Sequence, residues 1–164
     1  MNSGAYRRWL VESGSLTRKL QRASEHFAVE QIRSAAARPL AEEARLMKLG
    51  PEQKALVREV LLCCNHKPAV FAHSVLPFAS LQGSWRGLPR LGNKPLGAAL
   101  FSDPLVRRTP LQFRKLSASN PLYQQARPYL QFGAEELWAR RSLFFLGSST
   151  ILVTEVFLPQ VLTL

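Results

Sequence analysis

One nine-residue stretch near the C-terminus constrains this chain most: Ile-Leu-Val-Thr-Glu-Val-Phe-Leu-Pro, Ile151 to Pro159. Its β-branched and apolar run has the composition of a buried strand, and Pro159 ends it. Strand alternation places its one ionisable group, Glu155, on the face shared by Ile151, Val153 and Phe157. A carboxylate on an apolar face is costly unless something pairs with it. A second stretch, Ala55 to Cys64, poses the same problem with opposite sign: Arg58 shares a face with Leu56, Val60 and Leu62. Two apolar strands that each carry one charge inward predict a small polar site inside a dry core.

The rest of the chain supplies the frame. Tyr6 to Glu12 and Leu16 to Ala23 read as two short helices, broken at Gly14, with Ser15 able to cap the second. So short a hairpin packs across a sheet or forms a movable cover. Phe27 to Ile32 alternates weakly as a strand, and Ala35 to Met47 favours helix or loop up to Gly50-Pro51. Ala55 to Cys64 and Ala69 to Pro77 flank the turn-forming Asn65-His66-Lys67-Pro68 and read as an antiparallel hairpin. Gln82 to Asn93, rich in Gly and Arg, reads as a loop, and Pro95 opens a helix over Leu96 to Phe101. Leu111 to Leu116 fits a strand and Asn120-Pro121 starts a helix through Ala126. Leu137 to Leu146 and Ile151 to Leu158 form a second hairpin around Gly147 to Thr150. The expected class is α+β, one domain over residues 1–164, with an antiparallel sheet of about six strands and flanking helices over a buried site.

Bulk properties narrow the functions. At 164 residues and 46% hydrophobic the chain is expected to be globular. It carries 22 Lys and Arg against 11 Asp and Glu, a net +11 that attracts anions without saying which. No apolar run reaches the roughly 18 residues of a membrane span, and the first residues lack a signal-peptide core. Cys63 and Cys64, the only cysteines, are adjacent, unsuited to a disulfide framework, and suggest the cytoplasm. A buried structural role for Cys64 is preferred to a reactive one. There is no phosphate loop, dinucleotide fingerprint, nucleophile elbow or metal-ligand spacing, and the three histidines are scattered, so no bound metal is expected.

Each candidate residue has a structural alternative. Arg58 suits a planar oxyanion of a ligand, or a salt bridge to Glu155 or another core acid. Glu155 is a site carboxylate or half of a structural pair. His73, which shares a face with Phe71 and Val75, is a ligand contact or a core histidine satisfied by backbone. Of Arg140 and Arg141, adjacent in a strand, one should point inward and the other to solvent. The basic clusters Arg86 to Lys94 and Arg107 to Lys115 are phosphate-tracking surfaces or solvated faces.

Several stretches, in order, resemble the chorismate lyase family. They are Ser-Leu-Thr-Arg (Ser15 to Arg18), Arg-Glu-Val-Leu-Leu-Cys (Arg58 to Cys63) and Val-Leu-Pro (Val75 to Pro77). Next come Leu-Gly-Asn-Lys-Pro-Leu-Gly (Leu91 to Gly97), Leu100-Phe101, Leu-Trp-Ala-Arg-Arg-Ser (Leu137 to Ser142) and Thr-Glu-Val-Phe-Leu-Pro (Thr154 to Pro159). The resemblance implies a sheet with a buried site closed by helical flaps. It implies cofactor-free conversion of chorismate to 4-hydroxybenzoate and pyruvate, the first step toward ubiquinone. By matched position, Arg58 would grip the ring carboxylate, Glu155 would meet the ring hydroxyl, and the backbone of Leu16 and Leu96 would help hold the ligand. Leu16 departs from a methionine that the family can show. His73 stands where other members can place arginine, and is expected to contact substrate. The segment Thr109 to Gly133 fits the family pattern poorly.

Two rivals share the sequence features. A sensing domain of the same fold would bind an aromatic acid without chemistry, although no helix-turn-helix domain accompanies it here. A nucleic-acid-binding protein is suggested by charge alone, and the apolar strands around Arg58 and Glu155 do not resemble a phosphate-tracking surface. The expectation is therefore a monomeric enzyme whose partners are chorismate and 4-hydroxybenzoate, with no nucleic acid and no membrane span.

Overall fold

The computed structural model describes residues 3–164. Its frame is a seven-stranded antiparallel sheet: β1 Phe27–Ala37, β2 Ala55–Cys64, β3 Lys67–Leu76, β4 Arg107–Arg108, β5 Gln112–Ser117, β6 Glu136–Leu146 and β7 Ser149–Phe157. The spatial order is β1-β2-β3-β7-β6-β4, with β5 also on β6, so β6 pairs β4 and β5 in turn along its outer edge. The helices are α1 Arg7–Leu10, α2 Leu16–Arg22, α3 Ala41–Leu46, α4 Leu96–Phe101 and α5 Pro121–Ala126. The expected α+β class and both hairpins are observed.

Turn chemistry fixes the central hairpin. Asn65 and His66 both take positive φ, 51° and 68°, as a two-residue turn between right-twisted strands requires. The Asn65 side chain accepts hydrogen bonds from the backbone N–H groups of Glu25 and His26, at 2.9 and 3.1 Å, so the same turn anchors the chain leaving α2. β1 differs from the sequence reading. It runs five residues past Ile32, because its Ala-rich half is held by the β2 ladder: Ala35 lies opposite Val57 and Ala37 opposite Ala55. Tertiary pairing overrides local helix preference here. A register shift between Gln31 and Arg33 marks a bulge.

Register assigns side chains to faces. On one face a row runs through Arg58, Ser74, Val153 and Ser142, and the next through Val60, Ala72, Glu155 and Arg140. Two apolar clusters flank these rows. One packs Trp9, Leu10, Leu16 and Leu20 on Val60, Leu62, Val70 and Phe157. The other packs Trp85, Leu88, Leu96 and Leu100 on Leu56, Leu76, Ile151 and Phe144. α1, α2 and α4 therefore cover this face from two sides and leave a seam between them. The opposite face is covered by α3 and α5, over Val75 and Leu152 and over Leu61, Phe71 and Val156.

A candidate active site at the seam

The seam is a cavity lined by the start of α2, by α4 and by the two rows; the space inside it, counted out to its mouth, is about 560 Å³. Its lining is apolar apart from a few groups, among them Arg58, Arg108, Arg140 and Glu155. Leu16 and Leu96 stand at its rim as the first residues of α2 and α4. Their backbone N–H groups lie in first turns, which lack intrahelical acceptors.

Arg58 is 3% exposed. Its Nη2 donates to the carbonyls of Gly92 and Lys94, at 3.1 and 2.7 Å, while Nε is buried with no hydrogen-bond partner among the described residues. Burial lowers its pKa from the usual arginine value. The loop that supplies those carbonyls is itself pinned. The Asn93 side chain accepts from the Gln31 backbone N–H at 2.9 Å, beside the bulge in β1. Gly92 has φ +55°, a conformation that favours glycine. So the guanidinium is oriented by backbone and retains donors.

Glu155 does not pair with Arg58. Its Oε1 accepts from Arg140 Nε at 2.8 Å, and the two residues face each other across β6 and β7. Arg140 is 1% exposed, and its Nη1 reaches the carbonyls of Trp9, Leu10 and Glu12 at 3.4, 3.2 and 2.6 Å. One guanidinium thus fixes the carboxylate and ties down the end of α1. Arg141 points the other way, to Gln112 and Glu42.

A sequence model of the chorismate lyase family matches residues 1–163. The chain belongs to the chorismate lyase family. It is 52% identical over 153 residues to a probable chorismate pyruvate-lyase of Nitrosomonas europaea, covering 93% of this chain and 86% of that one. A counterpart from Methylobacillus flagellatus is 48% identical over 159 residues, covering 97% and 89%. Among solved structures, the effector domain of PhnF from Mycobacterium smegmatis aligns with TM-score 0.67 at 10% identity over 90% of each chain. The ligand-binding domain of a putative GntR-family regulator from Bordetella bronchiseptica aligns with TM-score 0.59 at 21% identity, over 82% and 87%. At such identities these likenesses describe the fold of this chorismate lyase family member and nothing more.

Of the expected site residues, Arg58, Glu155, Leu16 and Leu96 all line the cavity. His73 does not, and the expected ligand contact is corrected. It lies opposite Glu59, one position along β2 from Arg58, and so on the other face. There Nδ1 meets Glu59 at 2.8 Å and Nε2 meets Glu43 of α3 at 3.1 Å. Burial opposes its protonation, but the two carboxylates outweigh that and raise its pKa to about 9. The histidine is satisfied by acids rather than by backbone. Glu43 also accepts from the Leu40 backbone N–H at 2.9 Å, capping its own helix.

Reading the sequence alone missed Arg108 and the carbonyls of Gly92 and Lys94. The inward choice between Arg140 and Arg141 needed the register with Glu155. Burial raises the thiol pKa of both cysteines, Cys63 to about 11, where Glu30 and Cys64 add to it. Both are free, and neither lines the cavity.

Proposed function

We propose that this chain converts chorismate to 4-hydroxybenzoate and pyruvate without a cofactor. It would do so in the cytoplasm, as a monomer, at the first step toward ubiquinone. The observation that carries this reading is Arg58 with Nη2 fixed by two carbonyls and Nε unpartnered, set in an apolar cavity that also holds an oriented carboxylate. A ring carboxylate docks on Arg58, and the hydroxyl on C4 meets Glu155. The first-turn backbone of Leu16 and Leu96 completes the ring's surroundings.

The reaction asks little covalent chemistry of the protein. A proton leaves C4, the C–H electrons become the third double bond of the ring, and the C3–O bond breaks with its electrons on oxygen. The enolate takes up a proton and tautomerises to pyruvate. Aromatisation drives this, so binding, orientation and exclusion of water suffice. Glu155 positions the hydroxyl or handles the proton. Activity retained in Glu155→Gln would leave it hydrogen bonding alone.

The test is direct: purified chain incubated with chorismate, without added metal or cofactor, yields equimolar 4-hydroxybenzoate and pyruvate. Absence of either product ends the reading and favours a sensing domain. The flat product fits beneath the same covers, so their opening limits turnover. A pre-steady-state burst of product is expected, and a trace without one places the slow step at or before the elimination.

A further inference from the structure

Three guanidinium groups and one carboxylate line the cavity, which leaves two positive charges in excess. Chorismate carries two carboxylates, and Arg58 accounts for one. Arg140 is committed to Glu155 and to three carbonyls. Arg108 is different. From the two-residue strand β4 it lies opposite Phe144, on the cavity face. Its Nε donates to Ser142 Oγ at 2.7 Å and its Nη1 to the Ser13 carbonyl at 3.1 Å, while Nη2 has no hydrogen-bond partner among the described residues. The guanidinium carbon lies 5.0 Å from the Phe144 ring centre and 5.5 Å from that of Phe101. No carboxylate is within salt-bridge distance of it among the described residues, although Glu155 and Arg140 are near enough to act on its charge.

Resting on the chorismate reading above, we propose that Arg108 binds the carboxylate of the departing three-carbon fragment, as the second anion-binding group of the cavity. Strand order supports the assignment. Arg58 is on β2, Glu155 on β7 and Arg140 on β6, and Arg108 enters from β4 beyond them. A ring with its carboxylate on Arg58 and its C4 hydroxyl at Glu155 has the adjacent C3 ether at the far end. The fragment's carboxylate then falls on the Arg108 side. As the C3–O bond breaks, negative charge grows on that fragment, and a guanidinium already held by Ser142 and Ser13 opposes it without rearranging. Arg108 forms no covalent bond to substrate; it binds and stabilises charge.

The experiment compares substrate with product, because 4-hydroxybenzoate lacks the second carboxylate. In R108Q, kcat/KM for chorismate should fall by roughly 10²-fold, while the inhibition constant of 4-hydroxybenzoate stays within about threefold. R108K retains a charge and should lose only about tenfold. An unchanged kcat/KM overturns the proposal. So does an inhibition constant that rises in step with the loss, which marks general damage to the cavity, or an R108K no better than R108Q. If the unsubstituted chain neither converts chorismate nor binds 4-hydroxybenzoate, the functional reading itself fails, whatever the variants do.

Discussion

The two faces of the central sheet meet the same problem and solve it differently. Each has buried ionisable groups between two apolar clusters, and β2 carries one of them to each face at adjacent positions, Arg58 and Glu59. On the covered cavity face, Arg58 stands in the row of Ser74 and Val153; on the other, Glu59 stands in the row of His73 and Thr154. The second face is filled: α3 brings Glu43, and each ring nitrogen of His73 meets a carboxylate. The first is hollow, and the Nε of Arg58 has no hydrogen-bond partner among the described residues. The ion pairs of the second face hold the sheet to a helix, whereas the cation of the first has donors left for a ligand. The comparison teaches that burial of charge alone does not mark a site. What marks it is a buried charge with hydrogen-bonding capacity to spare that also borders a hollow, as Arg58 does and Glu43 does not.

The largest effect should come from the open face. Arg58→Ala removes the cation proposed to meet a ring carboxylate, and kcat/KM for chorismate should fall by roughly 10³-fold or more. Near-normal turnover in a folded variant would remove Arg58 from the site. Thermal unfolding should move little by comparison, because the lost partners are two loop carbonyls. The closed face should behave in reverse. His73→Leu leaves Glu43 and Glu59 buried together with only the exposed Arg33 beside Glu59 as a cation, and should cost about 3 kcal/mol of unfolding free energy by denaturant titration. Turnover per folded molecule should stay within a few-fold. A collapse of kcat with stability intact would return His73 to the ligand and break the comparison.

The same histidine sharpens the contrast through pH. Its pKa rises from 6.5 unfolded to about 9 folded, so the folded state binds its proton more tightly. The stabilisation is complete below pH 6.5 and is lost as pH climbs through about 9, with a size on the order of 3 kcal/mol. Charges facing the triad, Arg33 near Glu59 among them, modulate that figure. Unfolding free energy measured from pH 6 to 10 should decline across that window in the native chain. The decline should be absent from His73→Leu, and an equal decline in both would assign it to other groups.

How much of this was legible in the sequence follows from what each residue's neighbours encode. Arg58 and Glu155 stood out because each interrupts an apolar strand, and α4 because Pro95 precedes Leu96. The face occupied by His73 was not legible. Alternation fixes which residues of one strand share a face, but only register relates one strand to the next, and an offset of one reverses the answer. The same gap hid the choice between Arg140 and Arg141. β4 is two arginines long and has no periodicity to read, so Arg108 looked like part of a solvated basic run. Glu43 reads as an ordinary first-turn helix acid, and its second partner lies 30 residues away.

The smallest effect tests how the open face keeps Arg58 oriented. Gly92 offers its carbonyl to Arg58 from φ +55°, and no atom would crowd an added Cβ. Gly92→Ala therefore carries only the backbone cost of the left-handed conformation, about 1 kcal/mol. The loop can bear that cost or relax to negative φ, which swings the carbonyl away. If it bears it, stability falls slightly and KM for chorismate is unchanged. If it relaxes, Arg58 loses one of its two fixed acceptors and KM rises by about three- to tenfold with kcat nearly constant, since ground-state and transition-state carboxylates are gripped alike. The second outcome is expected, because Lys94 still holds Nη2 and the loop remains tied to β1 through Asn93. A rise in KM from a residue that does not line the cavity would show that the loop, and not the strand alone, aims Arg58.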